Sequence, residues 1–455
     1  MFFSLLNFRI NYKWTIFHIV LGWISTISPF VLVGWFYLIL LVHIIPAILQ
    51  YKQGRPFQFI ALLFYLISFE MLVRMTKVAP FIPTELGKYF LIGFMSLGIF
   101  LRGMRSYGGF VMVLLLIPSL FFDFSGQRNF QDIIFNFFGP IAIGLGLTCL
   151  YRTSVTLNQI QQILRLIWLT SLAALVFTFI KTPDLETIDF NLKAEFATTA
   201  DTSSNQVSTI LGVGMFLSFY SVLNRLRFSG STWSDIAIFI AFGFQGLLSF
   251  SRGGMLISVF SICILLFYQF RESSPRLRQR VALGGLFIIV ALYFVFNFTN
   301  QITNGNLLLR YSGETQGTLL GSKEKTTNVI VSGRVTILED DFDLFLKYPV
   351  LGVGAASSRY LRNNTYLVSP HIEFTRLLAE HGFLGFFYFI ILIGLFYRSK
   401  QLNRLKQVDG LLLALFSLAI LTSFHAAIRT YVTPVFILLS CFSVQNPTIK
   451  TKIVS

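Results

Sequence analysis

The sequence predicts an all-α, polytopic transmembrane helical protein of about 12–14 spans with one large loop that carries amphipathic helices. Three observations support this. Of 455 residues, 55% are hydrophobic and only 12% are charged, and the mean hydropathy is +0.71. The apolar residues are strung into repeated runs of 16–20, the length that crosses a hydrocarbon core of about 30 Å at roughly 1.5 Å per residue. Apolar and polar residues do not alternate along these runs, which argues against a transmembrane barrel.

The elements follow in chain order. The N-terminal MFFSLLNFRINYKW sets basic residues before the first apolar run and shows no small-residue cleavage site, so the run at 12–28 is expected to be a retained signal anchor. Runs at 30–49, 56–73, 87–101, 107–122, 132–150 and 163–181 supply the next spans. Runs at 205–223, 233–250, 254–270 and 281–298 form a central group, and runs at 383–398, 409–425 and 429–444 close the chain. Four units result: N-terminal transmembrane helices (1–204), central helices with a break at Arg252 (205–298), a large loop (299–382), and C-terminal helices with a tail (383–455). No internal repeat or low-complexity tract is visible. Cys149, Cys263 and Cys441 lie within apolar runs and form no CxxC, so they are expected to be small buried hydrophobes.

The formal net charge is +16. In a soluble chain that would raise nucleic-acid binding; here the basic residues fall in short breaks between spans, and the positive-inside rule accounts for many of them. With Arg9 and Lys13 in the cytoplasm, Lys52, Arg55, Arg102, Arg105, Arg152, Arg225, Arg227 and the clusters at 271–280 and 398–406 all fall inside. Arg74, Lys77 and Lys88 run against this bias. Three pieces then face outward: the acidic loop 182–204, the break SFSRGG at 249–254, and the segment 299–382.

The outer segment divides at Gly333. Its first part is rich in Asn, Thr, Ser and Gly and reads as mobile loop. From Arg334 to Lys347, Ile337, Leu338, Phe342, Phe345 and Leu346 recur at helical spacing, which predicts an amphipathic helix on the membrane surface. Tyr348-Pro349 stops it, and Gly352 and Gly354 make a turn.

Chemistry-bearing residues concentrate in SPHIEFTRLLAEHGFLG, 369–385. Ser369 as N-cap and Pro370 at the first position would place His371 in the first turn of a helix, where the positive dipole end disfavours imidazolium. A neutral imidazole suits a general base; the plainer reading is a histidine that satisfies a loop carbonyl. Glu373, Arg376 and Glu380 share one flank and read first as an internal ion-pair ladder. Arg252, beside Gly253 and Gly254, either snorkels to the interface or binds an anion, for which its donor fork suits phosphate. Arg310, Arg334, Arg359 and Arg362 are further candidates for phosphate. Glu70, His18, His43 and His425 form no series along one span, so a proton relay gains little support. No HExxH, CxxC pair or Walker lysine pattern occurs, and no metal or ATP site is indicated.

Together these residues resemble the O-antigen ligase and polymerase superfamily of bacterial polytopic membrane glycosyltransferases. His371, Gly382 and Gly385 fit the ligase signature spacing, whereas Ile372 stands where that signature has Asn, Ser or Gln. Arg252 and Leu256 match an Arg-x-x-x-Leu element, and KYPVLGVG at 347–354 follows an Arg-led helix at Arg334. The resemblance implies a GT-C-like enzyme of the bacterial inner membrane, active at its periplasmic face without cofactor, metal or ATP. It would move a glycan from undecaprenyl diphosphate to an acceptor hydroxyl: lipid A core for a ligase, a second lipid-linked glycan for a polymerase, or a protein side chain for an O-oligosaccharyltransferase. His371 would be catalytic, and Arg252, Arg334, Arg359, Arg376 and Glu373 would bind substrate. Membrane lipids are expected partners and nucleic acid is not. The rival from another class is a transporter of lipid-linked sugars, which would line a path along several spans with polar residues.

Overall fold

Each of the fourteen apolar runs contains a helix in the computed structural model, which describes residues 11–272, 274–368, 371–403 and 406–445. Among the described residues nine helices are long and apolar enough to cross a membrane, and Tyr107–Leu120 and Thr232–Leu248 are shorter apolar ones. The chain is an all-α, multi-pass membrane protein. Val432–Ser440 falls short of a span at 9 residues, all of them buried. It packs against Lys406–Ala426 and Phe130–Leu150 rather than lipid, so it needs no membrane-matched length.

Which helices lie inside follows from how apolar residues are distributed around them. Phe57–Ile67 is hydrophobic on every side, and Phe59 through Ile67 are all buried; such a helix belongs in the core. Phe30–Lys52 and Pro275–Ile302 leave Leu41, Ile45, Ile289 and Phe294 exposed, the pattern of a lipid-facing rim. Polar caps set several starts: Asn129 with Asp132, and Thr156 with Gln159, form reciprocal capping boxes before Phe130–Leu150 and Leu157–Lys181. Cys149 and Cys441 are buried, but Cys263 is exposed, because it lies on the outer flank of Arg252–Glu272 rather than in the core.

Successive breaks gather at two opposite ends of the bundle. At one end, Ser154–Thr156 pairs in parallel with Ser443–Gln445, Val155 opposite Val444, and Arg152 N–H donates to Cys441 O at 3.0 Å. The other end holds Arg252, the segment after Ile302, and the turn at 427–431. Arg74 and Lys88, which ran against the charge bias, lie there as paired groups rather than loop charges. Arg74 bridges Glu70 at 3.0 Å and Glu85 at 3.2 Å, and buried Lys88 lies 2.6 Å from Glu85. A charge-bias rule describes solvated loop charges, and these are internal ion pairs.

The large segment is more ordered than its composition suggests. Three short helices, Asn306–Tyr311, Gln316–Leu319 and Thr327–Ile330, replace the expected mobile loop. Arg334–Lys347 forms as expected, but its apolar residues split between two faces. Ile337 and Leu344 turn inward with Asp340 and Asp341, while Leu338, Phe342 and Leu346 are exposed. The carboxylates claim the inner flank because Asp341 is bonded by Arg362 and Thr375, and Asp340 by Asn364 and Thr365.

The turn at 348–354 closes the helix Glu373–His381. Val353 N–H donates to Ala379 O at 2.9 Å and Gly354 N–H to Glu380 O at 3.1 Å, which satisfies carbonyls that the helix end leaves open. Phe383 N–H returns a bond to Pro349 O at 2.7 Å. Backbone meets backbone here, so Gly352 (φ +72°) and Gly382 (φ +60°) have no room for a side chain: a Cβ would strike Glu380 and His381 from the first, and Pro349 and Val350 from the second. Gly352→Ala is therefore expected to cost roughly 1–3 kcal/mol and to lower the thermal midpoint in detergent. Gly34→Ala, in open space within a helix, should leave that midpoint unchanged or higher. Equal midpoints for the two variants would refute this account.

Candidate functional site

The site grows from the break at 249–251. Ser251 Oγ donates to Asn205 Oδ1 at 2.8 Å and accepts from Ser208 Oγ at 2.9 Å, which fixes the turn that makes Arg252 the first residue of Arg252–Glu272. Arg252 Nη1 donates to Arg310 O at 2.9 Å, and Nη2 donates to Ile330 O at 2.5 Å and Ser332 Oγ at 3.2 Å. Gly253 and Gly254 let helices approach: a Cβ on the first would enter the His425 ring, and one on the second would strike the backbone of Ser208 and Thr209. The two glycines thus serve the packing of helices.

Arg334 begins the next helix and places Nη2 at 2.9 Å from His425 Nδ1. Arginine only donates, so Nδ1 accepts, and the His425 proton sits on Nε2. Arg310 directs Nε to Phe250 O at 3.4 Å. Among the described residues, Arg252, Arg310 and Arg334 form no ion pair; their donors meet carbonyl oxygens, a hydroxyl and an imidazole. Burial, with Arg252 and Arg334 beside it, pushes Arg310 down to about 10, and burial followed by Arg252 also lowers Arg334.

His371 stands in the loop before the helix, not in its first turn, because the helix begins at Glu373 with Ile372 as N-cap. Ser369 and Pro370, expected to cap it, lie outside the described residues. The His371 carbonyl accepts from Ala427 N–H at 3.0 Å, which ties it to the turn at 427–431. Its Nδ1 is buried with no partner among the described residues. Burial first, then Arg429, Arg334 and Arg362, hold the imidazole down at about 4. Arg252 does not bond His371; the link runs from Gly253 and Arg334 through His425.

The other residues expected to bind substrate are placed differently. Arg376 is buried: Nη1 reaches Glu380 at 2.6 Å, Nη2 reaches Asn136 O at 2.9 Å, and Nη2 also pairs with Glu373. Glu373 further accepts from Ile428 N–H at 3.3 Å, and Glu380 accepts from Ser358 Oγ at 2.9 Å. Arg359 lies apart, 3.2 Å from Asp132 and 2.7 Å from Tyr360 Oη, with its side chain 26% exposed. Arg362 is fully buried against Asp341 at 2.7 Å.

Sequence reasoning missed Arg429. Its electrostatic reach covers both His371 and Glu373, and its guanidinium lies 5.4 Å from the Phe135 ring centroid. As the first residue of the apolar run at 429–444, it gave no signal of its own. His425 was noticed only as an ionisable group near a span; its place against Arg334 depends on contact between positions 91 apart in sequence.

A bundle of apolar spans with histidines and unneutralised arginines gathered at one end defines a multi-pass membrane protein with a charged site at the mouth of its bundle. Residues 236–390, about a third of the chain, match the family model described as O-antigen ligase. No curated protein and no solved structure gives a significant match. The matched stretch holds Arg252, Arg310, Arg334 and His371, and leaves His425 and Arg429 outside.

The His371 environment sets a pH expectation. Its folded value of about 4 lies below the ordinary 6.5, so between these values the unfolded chain binds more protons than the folded one. The stability contribution is present above pH 6.5 and is lost as pH falls toward 4. Imidazole NMR should show His371 titrating near 4 in the ligand-free protein and higher in Arg334→Gln. A midpoint near 6.5 in both would contradict the geometry.

Proposed function

We propose that the protein is an O-antigen ligase-like glycosyltransferase. It takes an oligo- or polysaccharide from undecaprenyl diphosphate at the periplasmic face of the bacterial inner membrane and passes it to a hydroxyl of lipid A core. The supporting observation is the cluster of Arg252, Arg310 and Arg334, held by neutral acceptors with no carboxylate partner among the described residues, and with Arg334 in electrostatic reach of a neutral histidine. Partly desolvated, like-charged guanidiniums repel one another, and a diphosphate offsets that repulsion with the oxygens that arginine forks match.

In this reading the acceptor oxygen attacks the anomeric carbon as the bond from that carbon to the diphosphate oxygen breaks. The electron pair leaves with the diphosphate, whose charge Arg252, Arg310 and Arg334 offset, so neither a metal ion nor ATP is called on. Fixed charge aimed at the leaving group is commonly the largest contribution to such catalysis. His371 takes the acceptor proton; its neutral state suits that role. We assign Glu373 and Arg376 a positioning role, since their polar atoms are engaged with each other and with the backbone, and Arg359 a place at the rim.

Polymerase chemistry uses the same parts with a second lipid-linked glycan as acceptor. The departure at Ile372 bears little on the choice. That residue is the N-cap of Glu373–His381 and makes no side-chain cap bond, so Asn, Ser or Gln there would serve capping. His371→Ala should lower transfer by about 10²–10⁴-fold, and Arg252→Ala should also reduce it, with both variants still present in the membrane. Surface glycan on a gel reads the outcome: ligase failure leaves long chains on the carrier and bare core, while polymerase failure leaves core bearing one repeat. Full wild-type glycan from both variants would rule out the catalytic reading.

A further inference from the structure

A cleft of about 510 Å³ opens beside the arginine cluster, between the loop that precedes Ser204–Asn224 and the short helices after Ile302. Its volume falls in the usual range for small-ligand sites. It shares its floor with the cluster. Arg310 lines the cleft while its carbonyl accepts from Arg252 at 2.9 Å, Ser332 lines it and accepts from Arg252 at 3.2 Å, and Gly333 lines it immediately before Arg334. A ligand with its diphosphate on the arginines would therefore extend its next groups into this space.

The lining carries a consistent chemistry. Lys193, from the loop preceding Ser204–Asn224, and Lys323, from the segment after Gln316–Leu319, join Arg310 as cations, and among the described residues no carboxylate lines the cleft. The nearby acids are turned to other uses or lie outside it. Glu314 is bound to Lys325 at 2.6 Å and to Thr318 at 2.6 Å, Glu195 accepts from Ala197 N–H at 3.0 Å, and Glu324 follows Lys323 without lining the cleft. Gln316 adds an amide donor and acceptor of the kind that pairs with sugar hydroxyls, whereas the Asn328 amide is held by Thr336. Lys323 rests its stem over Gly317, where a Cβ would come within 3.1 Å of Lys323 Cδ.

We propose that this cleft is a saccharide subsite selective for glycans that carry negative charge, as uronate or sugar phosphate, with Lys193 and Lys323 as the specificity-determining residues. The identification of the ligand as a saccharide rests on the glycosyl-transfer reading above; the preference for negative charge rests on the lining itself. Both lysines are exposed, so replacing them should leave the fold and the cation cluster intact.

The test uses the purified full chain in lipid nanodiscs at low ionic strength, where exposed charge is least screened. Its probes are tetragalacturonate (acidic), maltotetraose (neutral) and inorganic pyrophosphate. The acidic tetrasaccharide should bind more tightly than the neutral one, and a Lys193→Ala/Lys323→Ala double variant should weaken it about three- to tenfold, in line with two exposed charge contacts. Maltotetraose and pyrophosphate affinities should not change in that variant. Equal affinity for the two sugars, or a double variant that keeps the acidic preference, overturns the proposal. Pyrophosphate that fails to bind while the lysine-dependent preference persists would overturn the diphosphate role of Arg252 and Arg334 and leave the cleft standing.

Discussion

Arg376 is the point on which the charged end of the bundle depends. Its guanidinium is buried between Glu373 and Glu380 and also donates to Asn136 O of Phe130–Leu150. Each carboxylate passes the connection on: Glu373 to the 427–431 turn through Ile428 N–H, and Glu380 to the segment after the glycine turn through Ser358. Four parts of the chain meet on this group of three side chains. Desolvating three charges is costly, and the geometry repays it only because nearly every lone pair and N–H has a partner. Loss of one member would leave the others buried and unbalanced, a penalty of about 3–5 kcal/mol in comparable cases. His371 and Arg429 sit on the two segments that this group joins.

The charges at this end separate into two kinds. Arg74, Lys88, Arg362 and Arg376 are matched with carboxylates and hold helices and loops in register. Arg252, Arg310 and Arg334 meet only neutral acceptors among the described residues. A structural ion pair has its counter-charge within the protein; a binding site for an anion has it in the ligand. That difference, rather than the presence of arginine, is the ground for proposing the cluster as an anion site. It also explains why Arg376, equally prominent in the sequence, reads as support once its partners are seen.

Much of the fold was legible because apolar run length is a local property. The fourteen runs became helices, and Arg334–Lys347 formed where its spacing placed it. The site was legible only in parts. His371 and Arg252 stood out, but the faces of Arg334–Lys347 and the start of Glu373–His381 were misjudged. In both, contacts from distant segments accompany the outcome: Asp341 is bonded by Arg362 and Thr375, and Ala427 N–H and Ile428 N–H bond His371 O and Glu373 at the start of the helix. Arg74 donating to Arg429 O, 355 positions away, shows the scale of what local patterns miss.

The neutral state of His371 shows why the cause of a property matters as much as its direction. A helix dipole would hold the imidazole neutral whatever ligand is bound. Burial, the largest cause, does the same; only the part owed to arginines such as Arg334 lasts no longer than their charge is unanswered. On the reading proposed above, a bound diphosphate answers that charge, so the same anion that completes the site also strengthens the base. Linkage is reciprocal: if the anion favours the proton on His371, the proton favours the anion. Just after transfer, imidazolium and diphosphate would then hold one another most tightly. Turnover would require the proton to leave His371 before the carrier departs.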